Sequence, residues 1–155
     1  MVSNDTESEH ITLADEKSRI ESRIDIQAYI QDLNYALDHG AEVRFQIDRI
    51  VDNNRDEQYT NKYTISDLFP NDNPVDVLKK ELRNLSIDDY IRTVKDTRFK
   101  NRSEMREFGK IYSGRDVYIK IRVELLTNNG NHTVFIMSFH YAETPFTESI
   151  FPYRL

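Results

Sequence analysis

Apolar residues recur at helical spacing early in the chain: Ile26, Tyr29, Ile30, Leu33, Ala36 and Leu37, with Ile20 and Ile24 extending the stripe backwards. This predicts a helix from about Asp15 to His39, stopped by Gly40, a residue type that accepts the left-handed backbone of a helix end. The period then changes. Val43, Phe45 and Ile47 alternate with polar residues, which predicts a short strand. The run Asp52-Asn53-Asn54-Arg55-Asp56-Glu57 is a loop by composition. Ser66 to Phe69 reads as a short helix closed by Pro70. Another starts near Pro74 and reaches about Leu85, with Val75, Leu78, Leu82 and Leu85 on one face.

The last third is different in kind. Residues 105–113, 116–126 and 132–141 read as three strands joined by tight turns. Ser113-Gly114-Arg115-Asp116 suits a type II′ loop on Gly114-Arg115. Asn128-Asn129-Gly130 suits a three-residue loop with a glycine bulge. The predicted fold class is α+β, N-terminal helices followed by an antiparallel β-meander, in a single domain over residues 13–155. Residues 1–12 read as a disordered acidic tail.

Alternation along the middle strand puts Val117, Ile119, Ile121, Val123 and Leu125 on one side and Tyr118, Lys120, Arg122 and Glu124 on the other. The three-residue loop sets Tyr118 opposite His140 and Lys120 opposite Ser138, which matches apolar to apolar on the reverse side. A two-residue Asn129-Gly130 loop would set Lys120 against Phe139 instead. The first hairpin sets Glu107 opposite Arg122 and Gly109 opposite Lys120. One face then carries Glu107, Tyr118, Lys120, Arg122, Ser138 and His140. Lysine and arginine can hold a phosphate and stabilise charge that builds on it. Glutamate, histidine and tyrosine can move protons on and off an attacking hydroxyl. RNA brings its own nucleophile, the 2′-hydroxyl, so such a face needs neither metal nor cysteine. The competing reading is the ordinary polar side of a sheet, with Glu107 and Arg122 as a cross-strand ion pair.

Charge sharpens this. The chain of 155 residues holds 21 Lys+Arg against 27 Asp+Glu, a net charge of −6, which argues against a phosphate-binding protein. By segment the balance is −10 over residues 1–78, +6 over 79–122 and −2 over 123–155. The basic block coincides with the first two strands of the meander, which points to a polyanionic partner there.

Other chemistry is thinly represented. Without cysteine there is no disulfide, thiolate zinc site or cysteine nucleophile. His10, His39, His132 and His140 lack metal-ligand spacing, and the four glycines form no phosphate loop. No cofactor is expected. No apolar run is long enough to span a membrane, and the polar N-terminus lacks a signal peptide's pattern, so the expected location is the cytoplasm.

From about Thr64 onward the order of motifs resembles the MqsR-like toxins of toxin–antitoxin systems. Leu85-Ser86-Ile87-Asp88-Asp89-Tyr90 is similar to the segment closing a helix in that family. Glu107-Phe108-Gly109-Lys110, Val117-Tyr118-Ile119-Lys120-Ile121 and Ser138-Phe139-His140 resemble its strand motifs, in order, and Phe151-Pro152-Tyr153 the end of longer members. The resemblance implies a RelE-like fold and a ribosome-independent mRNA endonuclease that works without metal and is restrained by a cognate antitoxin protein. The family's active-site tyrosine matches Tyr118. Its lysine falls at Arg92 and its glutamine near Arg106, two departures, and a usual aromatic is Met105 here.

The combined expectation is a toxin-type endoribonuclease acting on single-stranded mRNA. Tyr118 and His140 handle protons, Glu107 is a further candidate base, and Lys120 and Arg92 stabilise the transition state. Lys110, Arg106, Arg122 and Lys95 are the expected RNA-binding cations. Two rivals stand beside it: a non-catalytic RNA- or protein-binding module on the same fold, and an acidic interaction protein whose helical half docks a basic partner.

Overall fold

The computed structural model describes residues 16–49, 55–99, 101–125 and 132–154. The acidic tail, residues 52–54 of the expected loop and the Asn128–Gly130 turn lie outside the described residues. The elements are β1 (Glu16–Arg19), α1 (Arg23–Asp38), β2 (Glu42–Phe45), α2 (Asn61–Leu68), α3 (Pro74–Leu82), β3 (Tyr90–Asp96), β4 (Met105–Tyr112), β5 (Arg115–Leu125) and β6 (His132–Tyr141). The fold is α+β, with a six-stranded sheet in the order β1-β3-β4-β5-β6-β2. All neighbours are antiparallel except β2 and β6.

Two expectations about order are corrected. The helices do not all precede the strands, because β1 comes before α1 and β2 lies between α1 and α2. The long first helix is shorter at its start. Ser22 caps it by accepting from the Asp25 amide, and residues 16–19 instead pair with β3. Ile20 and Ile24 are 54% and 77% exposed, so their helical spacing buries nothing, while Ile26, Ile30, Leu33 and Ala36 form the true inner face. Strand β3 was not anticipated. It begins after a capping box in which the Ser86 and Asp89 side chains satisfy each other's backbone amides.

The core lies on one side of the sheet, where α1 and α3 meet Phe108, Val117, Ile119, Ile121, Val134, Ile136 and Phe139. Where β2 ends, α2 takes over the outer edge of β6. Asn61 accepts from the Phe139 amide and donates to the Met137 carbonyl, and Thr64 accepts from the Tyr141 amide. Side chains thus satisfy backbone groups that an edge strand would leave bare.

The first hairpin differs from expectation by two residues. Ser113 and Gly114 both have positive φ, 52° and 79°, which makes them the paired left-handed centre of a type I′ loop. Tyr112 therefore opposes Arg115, Glu107 opposes Lys120 and Gly109 opposes Tyr118. A shift of two preserves faces, so the expected set of face-sharing residues survives. In the second hairpin Tyr118 opposes His140 and Lys120 opposes Ser138, as the sequence predicts, but a bulge between Lys120 and Ile121 shifts the remainder by one residue, so that Arg122 opposes Phe135 and not Ile136.

Candidate active site

On the face away from the core, β4, β5 and β6 bring together Glu107, Tyr118, Lys120, Ser138 and His140, and β3 adds Arg92 opposite Glu107. Their burial separates this face from an ordinary solvated one. Glu107 is 3% exposed, Ser138 3%, Lys120 7% and His140 7%. A pocket of about 290 Å³ opens over them, lined by Arg49, Arg55, Tyr118, Lys120, Ser138, His140, Ala142, Glu143 and Phe146.

Each group is held by its neighbours. Arg92 donates from Nε to Glu107 Oε1 at 2.7 Å and from Nη2 to Oε2 at 3.4 Å. With both oxygens engaged, Glu107 is a counter-ion and not the free base the sequence suggested. Tyr118 stands beside His140, ring centroids 5.4 Å apart. Burial, and then the Glu107 carboxylate, push the Tyr118 phenol well above its ordinary range, so it stays protonated. Burial lowers the Lys120 ammonium, opposed by Glu107 and by Glu16, whose carboxylate lies 3.8 Å away.

His140 is the most informative group. Its Nε2 lies 3.1 Å from Arg55 Nη1 and its Nδ1 lies 3.0 Å from the Tyr141 carbonyl. Arginine can only donate, so Nε2 accepts and Nδ1 carries the proton, which fixes one neutral tautomer. Burial, reinforced by the positive charges of Arg55, Arg49 and Lys120, lowers its pKa to about 4. The imidazole is therefore unprotonated at neutral pH, and an anion that offsets Arg49, Arg55 and Lys120 would raise its basicity toward what a general base needs.

Arg49 and Arg55 were absent from the expected site. They flank the Asp52–Asn54 run and arrive from beyond the edge of β6. Arg49 Nη1 donates to Ser138 Oγ at 3.2 Å and to the Met137 carbonyl at 3.1 Å. Arg55 Nε lies 3.4 Å from Glu143 Oε1. Nothing along the chain distinguishes them from the other five Lys and Arg of residues 1–78. Gly109 provides another hidden condition: a Cβ there would fall 2.6 Å from Phe146 Cε2 and 3.1 Å from Phe151 Cζ. Its bareness lets the C-terminal segment lie across the sheet and set Phe146 as a pocket wall.

The expected RNA-binding cations divide. Arg122 shares the site's face but lies further along β5, 4.1 Å over the Phe135 ring and ion-paired with Glu124. Arg106 is on the core face, forked onto Glu21 at 2.8 and 3.2 Å and 4.2 Å over the Tyr29 ring. Lys110 also lies there, 3.4 Å from Asp89 Oδ2. Lys95 alternates to that side of β3 and donates to the Arg102 carbonyl. These three do not join the pocket, because one step along a strand reverses the side chain's direction.

Family models, curated proteins and solved structures were compared with the chain, and no match was found in any of the three. Among the described residues, no helix is long and apolar enough to cross a membrane.

Proposed function

We propose that the protein is a metal-independent endoribonuclease that cleaves single-stranded mRNA, the toxin component of a toxin–antitoxin pair of MqsR-like, RelE-like type. The observation that supports the chemistry best is the neutral His140, its Nε2 turned into a pocket walled by Arg49, Arg55 and Lys120 with Tyr118 alongside. In this reading the cations hold a phosphodiester. His140 takes the proton from the adjacent 2′-hydroxyl, whose oxygen bonds to phosphorus while the bond to the 5′-oxygen breaks. Lys120, its pKa lowered by burial, returns a proton to the leaving 5′-oxygen, and the protonated Tyr118 hydroxyl donates to a phosphoryl oxygen. The products are a 2′,3′-cyclic phosphate and a 5′-hydroxyl, and no co-reactant is consumed. Arg92 and Glu107 fix Lys120 and Tyr118 in place.

The test is incubation of purified protein with a long mRNA in EDTA. Discrete cuts with cyclic-phosphate ends are expected, with loss on 2′-deoxy substitution at the cut and on His140→Ala. Absence of cleavage in every buffer removes the proposal. A binding-only reading has one observation in its favour: Arg55 already occupies the His140 lone pair, so catalysis requires it to turn to the phosphate. Salt-dependent RNA binding without products is its signature. The cellular part of the proposal predicts growth arrest on induced expression, relieved by a cognate antitoxin, in the cytoplasm where mRNA is found.

A further inference from the structure

Residues 97–104 join β3 to β4, and with the end of β3 they bring the cations Lys95, Arg98 and Arg102 together with the carboxylates Asp96 and Glu104, the latter paired with Arg19. In this turn Phe99 is 37% exposed. The Arg102 guanidinium lies 4.1 Å from the ring centroid and that of Arg98 5.3 Å. Hydrogen bonds hold the described part of the turn. The Phe99 amide donates to the Asp96 carbonyl and the Arg102 amide to the Phe99 carbonyl. Arg98 places Nε and Nη2 on the two Asp96 carboxylate oxygens at 3.1 and 2.9 Å, and Lys95 donates to the Arg102 carbonyl.

We infer that this turn is a second RNA contact, a platform on which one base of a single strand stacks against Phe99 and its guanidinium planes. Flat, positively charged aromatic surface suits a base on a phosphate chain, because every base offers a π-face and every linkage a charge. An acidic peptide brings the charge without the ring, and would compete with Asp96 for the Arg98 fork. These hydrogen bonds pre-organise Arg98, Phe99 and Arg102 and so reduce the affinity lost to immobilising the contact. Strand β4 begins three residues after Arg102 and carries Glu107, the counter-ion of Arg92. The inference rests on the RNA reading above for its ligand, and its test reads binding alone.

The test is fluorescence anisotropy of the full chain with a labelled single-stranded 2′-O-methyl RNA, which offers no 2′-hydroxyl to attack. Phe99→Ala is expected to weaken binding about tenfold and Phe99→Trp to restore it. Arg102→Ala is expected to lower the slope of log affinity against log salt by about one. Binding of Phe99→Ala within about twofold of wild type overturns the inference. So does tighter binding of polyglutamate than of RNA, or no binding by wild type. A dinucleotide that fills only the pocket should be cut equally by wild type and Phe99→Ala. If cleavage fails throughout while binding still depends on Phe99, the pocket reading fails and the platform stands.

Discussion

Each face of the sheet buries a glutamate under an arginine fork, yet the two clusters differ in what surrounds them. On the core face Glu21 accepts from Arg106, from the Thr93 hydroxyl at 2.5 Å, and lies near Arg19. Arg106 in turn covers Tyr29, and Tyr90 donates to or accepts from Thr93. That cluster closes on itself and ties β1, β3, β4 and α1 together. On the opposite face Glu107 is forked by Arg92 in the same way, but Tyr118 and Lys120 beside it border an open pocket that Arg49, Arg55 and His140 also face. A buried ion pair alone therefore marks no chemistry. An open volume flanked by groups whose pKa values are pushed apart does.

The comparison breaks most sharply under two substitutions. His140→Ala should reduce RNA cleavage by about 100-fold or more, read from initial rates, with the fold retained. Arg106→Ala should instead cost about 3–5 kcal/mol of stability in urea unfolding, because it leaves Glu21 buried without its main partner. Arg106→Ala protein that still folds should cut RNA normally.

The pH dependence of stability separates the faces next. His140 ordinarily titrates near 6.5 and is held at about 4 in the fold, so between these values the unfolded chain binds the extra proton. Stability should rise with pH across that window, by up to about 3 kcal/mol, and His140→Gln should flatten the rise in urea melts. Glu21 behaves at lower pH. Its carboxyl is pulled below the ordinary range despite burial, by hydrogen bonds from Arg106 and Thr93. Its contribution is complete above pH 4.5 and disappears as pH falls through its folded value.

Smaller effects sharpen the picture of the pocket wall and the hairpin. Gly109→Ala should cost about 1–3 kcal/mol as Phe146 and Phe151 move aside, and it should weaken cleavage by disturbing Phe146. Ser113→Gly should gain about 0.5 kcal/mol in thermal unfolding, since relief of the left-handed strain at φ 52° slightly exceeds the entropy lost by glycine.

Much of the site was legible along the chain. The alternation in β5 and β6 named Tyr118, Lys120, Ser138 and His140 as one face, and apolar matching chose the register of those four, but the bulge between Lys120 and Ile121, which turns Ile136 and Val134 into the core, broke that alternation unannounced. The first turn lies one residue earlier than the sequence predicts, which shifts the pairing by two and moves Glu107 from Arg122 to Lys120 without changing its face. Strand β1 was hidden because Ile20 and Ile24 continue a helical period that the fold leaves in solvent. The sequence also ranked Arg106 and Lys110 with the RNA-binding cations, since charge in a basic block carries no record of which way a strand's side chain points.

The sequence by itself determined the periods, and through them the elements and the grouping of side chains, because alternation and helical recurrence are properties of neighbours in the chain. Tertiary structure alone decided which buried polar cluster became a pocket. Arg49 reaches Ser138 and Arg55 reaches His140 because β2 pairs in parallel with β6 and α2 caps the rest of that edge, which sets both arginines beside the pocket. The burial that lowers His140 and the positive charges that reinforce it come from residues far away in sequence, so no local pattern could have announced them.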